Sequence, residues 1–355
     1  MFSRNRFLAV LVTGISALWL IGFSFVDAQQ TPPNPITKTP APTVTPTPDD
    51  EVIKVDTELV NVLFTAQDHN RRLLTDLKQG DVRLLEDGKA QEIVSFSRQI
   101  DLPLSLAILI DTSASQERTL PEEKAAAASF LETVMRPAKD EVCVISFTGE
   151  ATLEQGMTNN LNRLRRSIDQ VKFVPPSGYI GGGVIAGTPP ISGGSTAGST
   201  AIWDAIWVTS DEILGPAPEK TRRAIILVTD GVNTSGKKKL DDAVAAALRS
   251  EAIIYSVGIG DNFYSGVDRG SLNKISERTG GRAYFPRDER ELRDAFQQIQ
   301  EEMRSQYLIA YEPTNQNRDG SYRKIEIELQ NQQLLKDKVK VTHRQGYFSK
   351  TGPKK

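Results

Sequence analysis

Cysteine and histidine are almost missing from this chain, which has one cysteine and two histidines among 355 residues. The lone Cys143 sits in the apolar run VCVISF, permits no internal disulfide, and reads as a buried, inert thiol. His69 and His343 fall in alternating, strand-like flanks, where exposure is expected and neither has a plausible metal or catalytic set. An excess of either charge is also missing. Lys and Arg total 43 against 45 Asp and Glu, a net charge of −2, which argues against a dedicated nucleic-acid binder. Beyond residue 26 no apolar run is long enough to span a bilayer.

What is present is globular, with 39% hydrophobic and 25% charged residues. The length suits two domains of about 150 residues each. Arg4 and Arg6 precede a long apolar stretch, Phe7 to Val26, with small residues at Val26-Asp27-Ala28. This is the pattern of a signal peptide over 1–28, with an uncleaved anchor as the alternative. Either way the remainder is expected outside the cytoplasm, secreted, periplasmic or at the cell surface. Membrane contact is expected only if the segment stays uncleaved. Residues 29–51 are rich in Pro and Thr and read as an extended spacer.

Two alternating segments, 52–100 and 306–350, flank a central stretch, 101–305, in which apolar strands alternate with helical patterns. Asp87-Gly88 between two strand-like runs signals a hairpin. In the centre, strands are expected at Leu104–Ile110, Val142–Phe147, Ala151–Met157, Arg222–Thr229, Ile253–Ile259 and Arg282–Phe285. Helices are expected near 121–136, 161–171, 200–214, 240–249, 272–279 and 289–304. That order predicts an α/β fold around a mostly parallel sheet covered on both faces. Residues 175–199 show no periodicity and read as a long loop around a site. Its three consecutive glycines lack the Gly-Lys-Ser/Thr of a phosphate loop. Each β-rich flank is small alone, so the two are expected to combine into one antiparallel sandwich, with the α/β part inserted between them.

The strand LSLAILI ends on Asp111, with Ser113 and Ser115 at alternate positions after it. Taken alone, these residues read most readily as a helix N-terminus, since Asp and Ser cap helices. Thr200 after the glycine-rich loop and Asp230 after the strand Ile225–Val228 change that reading. All five can converge on the carboxyl edge of one sheet, where such folds bind ligands. Two carboxylates and three hydroxyls, with no imidazole or thiol, suit Mg²⁺ rather than zinc, with Mn²⁺ or Ca²⁺ as alternatives.

The segments DTSAS at 111–115, GST at 198–200 and VTDG at 228–231 resemble the metal-ion-dependent adhesion site of von Willebrand factor A domains. The likeness covers about residues 102–306. The flanks VDTELVNVLFTAQD, GDVRLLEDGKAQEIVSF and the tail around QYLIAYEP are similar to a bacterial secreted group called VWFA-related, populated among acidobacteria. The resemblance implies a Rossmann-like A domain holding Mg²⁺ through Asp111, Ser113, Ser115, Thr200 and Asp230. It also implies a protein partner that supplies a Glu or Asp carboxylate to the metal. The long loop before Thr200 departs from the pattern, so partner specificity does not carry over.

No catalysis is expected. A phosphatase of the aspartyl type would carry a second carboxylate where Ser113 stands, and a serine hydrolase needs a base that neither histidine supplies in the α/β part. A two-metal hydrolase needs carboxylates beyond Asp111 and Asp230. Asp204, Asp211 and Asp261 are the candidates for that role. The remaining alternatives are an envelope scaffold that binds without metal and a hydrolase that uses the open metal position.

Overall fold

The computed structural model describes residues 59–98, 102–175, 179–180, 183–184, 199–218, 220–260 and 266–352. Residues 1–58, which hold the expected signal segment and spacer, most of the 175–199 loop and Asp261 lie outside the described residues. Asp56–Lys355 makes one compact unit.

The N-terminal flank supplies β1 (Val60–Gln67), β2 (Val82–Glu86), β3 (Lys89–Ala90) and β4 (Ile93–Arg98). Asp87 and Gly88 join β2 to β3 with φ of 49° and 77°. Two positive φ angles make this a type I′ turn, whose twist matches that of the flanking strands.

The central stretch follows. It contains β5 (Leu104–Asp111), α1 (Leu120–Val134), β6 (Glu141–Phe147), β7 (Ala151–Thr158) and α2 (Leu161–Gln170). A small pair, β8 (Tyr179–Ile180) and β9 (Gly183–Val184), lies within the glycine-rich segment. Next come α3 (Ile202–Val208), which runs on into a π-helical turn at Thr209–Leu214, then β10 (Arg222–Thr229) and α4 (Leu240–Arg249). The stretch ends with β11 (Ala252–Gly258), α5 (Arg269–Thr279), β12 (Ala283–Tyr284) and α6 (Glu289–Arg304). The helix starts carry local chemistry. Asp288 accepts the Glu291 amide at 2.8 Å and Asp268 accepts the Ser271 amide at 3.0 Å, each meeting an otherwise unpaired donor.

The central sheet has the order β12-β11-β10-β5-β6-β7. All its pairings are parallel except β6 with β7. β5 is buried along its whole length because both faces are covered. Leu104, Leu106, Ile108 and Ile110 join a core with α1, α2 and α6. Ala107 and Leu109 join the opposite core, with α3, α4 and α5. Cys143 is fully buried there and its thiol is pushed up to about 12 by burial. The chain leaves β5 toward β6 on one side, while β10 lies on the other. The edge beyond β5 and β10 is therefore the topological switch point of the sheet.

The C-terminal flank gives β13 (Tyr307–Tyr311), β14 (Tyr322–Leu329), α7 (Gln332–Lys336), β15 (Lys340–His343) and β16 (Gly346–Phe348). Strands of the two flanks interleave in two four-stranded sheets, β15-β1-β13-β4 and β16-β14-β2-β3. Their inner faces share one core, including Val62, Phe64, Leu84, Ile309, Tyr311 and Ile325. Phe64 stacks on Tyr307 with ring centroids 5.1 Å apart. The fold class is thus an α/β domain around a mostly parallel six-stranded sheet, with two additional antiparallel sheets.

Three details differ from the sequence reading. The run VKVTHRQGYF is two strands, not one, and passes from one sheet to the other between His343 and Gly346. The helix α7 had no signal in the periodicity. His343 is not exposed: it is half-buried, its Nε2 accepts the Ile327 amide at 3.3 Å, and its ring is held below the ordinary histidine range by burial. His69 is exposed.

Candidate metal centre

Parallel pairing sets the site. β5 and β10 run side by side with Ile110 opposite Val228. The next residues are Asp111 and Thr229, and Asp230 follows. Register alone therefore brings two carboxylates to adjacent strand ends.

Asp111 is fully buried. Its Oδ1 accepts the Ser113 amide at 2.9 Å and its Oδ2 accepts the Thr229 hydroxyl at 2.5 Å. Burial pushes its carboxyl up to about 7; the hydrogen bonds from Thr229 and Ser113 oppose that rise, and the neighbouring Asp230 charge adds to it. Asp230 is buried, and its Oδ1 accepts the Val232 amide at 2.9 Å in a tight turn. Gly231 closes that turn at a φ of 83°, and a Cβ there would lie 2.8 Å from the Leu272 side chain. Only glycine meets both demands.

Ser113 is buried, and its hydroxyl lies 3.2 Å from that of Ser115. Thr200 is buried just before α3. Its amide donates to the Thr234 hydroxyl at 2.8 Å, its carbonyl accepts the amides of Thr234 and Ser235, and the next amide, Ala201, donates to the Thr148 carbonyl at 2.6 Å. The end of the glycine-rich segment is thus fixed to the loop that follows Asp230. Asp111 and Ser113 do not cap α1, whose N-cap is Thr119 with no side-chain bond.

The donor set fits a hard divalent cation. The two serine hydroxyls are close to the spacing of adjacent ligands on an octahedral Mg²⁺, about 3 Å for bonds of about 2.1 Å. The cost of ionising the buried Asp111 beside the Asp230 charge is also what a divalent cation would relieve. Among the described residues no group of three or more His, Cys, Asp or Glu is placed to hold a metal. Of the further carboxylates, Asp204 accepts the amides of Lys237 and Lys238 at 2.9 and 3.1 Å, which makes it a loop staple. Asp211 is exposed.

The sequence reading missed Glu123. It lies on the inner face of α1, 1% exposed, and among the described residues neither carboxylate oxygen has a hydrogen-bond partner. Burial pushes its carboxyl up to about 8, and the charges of Asp111 and Asp230 contribute. The signal was available. Leu120, Glu123, Ala127, Phe130 and Val134 form one helical stripe, and four of the five are apolar. Gln116 was missed as well; it donates to the Ile259 carbonyl at 3.2 Å and so ties the loop after Asp111 to the end of β11.

Two family models, both described as the von Willebrand factor type A domain, match residues 106–233 and 191–298. The chain carries a von Willebrand factor type A domain. All five candidate ligands fall within the first of the two matches. No curated protein matches the chain. Similar solved structures include proximal thread matrix protein 1 from the mussel byssus, at 18% identity and a TM-score of 0.46, covering 62% of this chain and 51% of that one. A structure of the same byssus protein with a zinc-occupied MIDAS motif has 18% identity, a TM-score of 0.45, and coverage of 61% and 49%. BatB from Bacteroides thetaiotaomicron has 20% identity, a TM-score of 0.42, and coverage of 57% and 100%. The chain spans about half the length of the byssus protein. Among the described residues no helix is long and apolar enough to cross a membrane.

Proposed function

We propose that this A domain is an extracytoplasmic binding module that captures an acidic group of a protein partner through a bound Mg²⁺. What supports this reading is that Asp111 and Asp230 follow adjacent ends of β5 and β10, that the hydroxyls of Ser113 and Ser115 lie 3.2 Å apart, and that the Thr200 backbone is tied to the loop after Asp230. Those five residues would hold the ion, and Mn²⁺ or Ca²⁺ are alternative occupants. When bound, the ion supplies a Lewis-acidic position that accepts a carboxylate oxygen. The chain's own residues do the rest. Thr229 and the Ser113 amide orient the Asp111 carboxylate, and Thr234 with the Thr148 carbonyl fixes the backbone at Thr200. Two carboxylates balance the charge of the ion, so the site retains affinity for an acidic partner group. We assign no catalysis to it, since His69 and His343 belong to the flanks and Asp204 is spent on the Lys237 and Lys238 amides. The N-terminal signature Arg4 to Ala28 supports the extracytoplasmic location, and the flanking segments support placement in the VWFA-related bacterial group.

The test is capture of envelope proteins by the full chain in Mg²⁺ and in EDTA, with Asp111→Ala as control. Capture is expected in Mg²⁺ alone and is expected to be lost in the variant. Capture that survives EDTA would overturn the metal-dependent reading and transfer binding to the sandwich.

A further inference from the structure

The other end of the central sheet holds a second site. A cavity of about 290 Å³ opens where the α/β part meets the sandwich, at the N-terminal ends of β10 and β11. One wall is Leu63 and Leu308, direct cross-strand partners in β1 and β13. Strand alternation turns both away from the sandwich core that Val62, Phe64 and Ile309 fill. Leu248 at the end of α4 and Ile253 in β11 also line it. Leu63 and Leu308 stay partly exposed to this space.

The rim is cationic. Lys220, Arg222, Arg223 and Arg344 line the cavity against one carboxylate, Glu251. Glu251 lies 3.2 Å from Arg344 and 3.9 Å from Arg223, and its side chain is 48% exposed. Arg222 is buried and meets no carboxylate among the described residues. It donates to the carbonyls of Met303 and Leu102, and its Nε has no partner among the described residues. The nearby Asp140 is already engaged by Arg136 and by the Leu104 amide. The Nε of Arg344 is likewise buried without a partner. Four cations share one half-exposed carboxylate, Glu251, at this cavity, and a bound anion would offset part of their desolvation cost.

An apolar slot with an under-neutralised cationic rim fits one kind of ligand. We propose that this cavity binds a single-chain anionic amphiphile, its chain between Leu63, Leu308, Leu248 and Ile253 and its head group on the guanidinium rim. A cavity near the lower end of ligand-pocket sizes, about 300 Å³, points to a short or medium chain. Carboxylate and phosphate heads share the chemistry that guanidinium recognises. The site lies roughly 23 Å from the metal edge, seven residues of β10 at about 3.3 Å each. It does not depend on the metal reading.

The test is calorimetric titration of the full chain in EDTA with decanoate, decyl phosphate and decanol, all below micelle-forming concentrations. The two anions are expected to bind with one site per chain, and the tighter of them identifies the head group. Decanol is expected to bind at least tenfold more weakly. Lys220→Glu, on the exposed rim, is expected to weaken the anions several-fold, and Leu308→Trp to abolish binding by filling the slot. Circular dichroism checks that both variants are folded. Absence of binding up to 1 mM, equal affinity for decanol, or affinity unchanged in Lys220→Glu would each overturn the proposal. Binding that persists in folded Leu308→Trp would do so as well.

Discussion

Glu123 keeps a buried carboxyl with no hydrogen-bond partner among the described residues, and that has a measurable signature. Its folded-state pKa is raised from 4.5 to about 8 by burial, so the folded protein holds a proton that the unfolded chain gives up. Stability from this group is therefore full below about pH 4.5 and falls as pH rises toward about 8. In EDTA, Glu123→Gln is expected to melt with the wild type near pH 4 and to be more stable at pH 7, on the order of 2 kcal/mol. Parallel thermal unfolding curves across that range check it, and an equal pH slope in both proteins would contradict it. A second residue-scale expectation concerns Gly231. Gly231→Ala puts a Cβ against Leu272 at a positive φ, and should destabilise the domain by about 1–3 kcal/mol in chemical denaturation.

Among the elements, α6 is held at its C-terminal end by one buried carboxylate. Glu302 lies 2.9 Å from the Arg282 guanidinium. It accepts the Tyr284 hydroxyl at 2.8 Å and the Gln67 amide at 3.0 Å, and so joins α6 to β12 and β1. Glu302→Ala leaves Arg282 without its partner and is expected to cost about 3–5 kcal/mol, against about 1 kcal/mol for Gln67→Ala, by urea denaturation. Equal costs would show that the clasp is not centred on the carboxylate. The elements also show what the sequence made legible. β5, β10 and β11 were readable because a strand covered on both faces must be apolar throughout, and Asp111 and Asp230 were readable because each breaks such a run. Glu123 was hidden because acidic residues are ordinary in a first helical turn, and only the stripe through Leu120, Ala127 and Phe130 turns it inward. His343 and the crossing between β15 and β16 were hidden because alternation shows which residues share a face but not which sheet receives the strand.

On the scale of the whole molecule, two β-rich flanks 200 residues apart pair strand by strand, β1 with β13 and β14 with β2. We propose that 52–100 and 306–350 are one folding domain interrupted by the A domain. The isolated segment 51–99 is then expected to lack a cooperative unfolding transition, because its strands lose their partners. Phe64→Ala in the full chain should remove about 3–5 kcal/mol from the sandwich core. Cooperative melting of the isolated segment would contradict the interrupted-domain view. The claim on which the functional reading rests is that Asp111 and its neighbours hold a divalent cation. Its most direct measurement is thermal unfolding of the wild type and of Asp111→Asn in Mg²⁺ and in EDTA. At a Mg²⁺ concentration about 100-fold above the dissociation constant, binding stabilises by about 2.7 kcal/mol, so the wild type should melt several degrees higher in Mg²⁺. Asp111→Asn should melt at one temperature in both. A wild type indifferent to Mg²⁺, or an equal Mg²⁺ response in the variant, would contradict the assignment of the site.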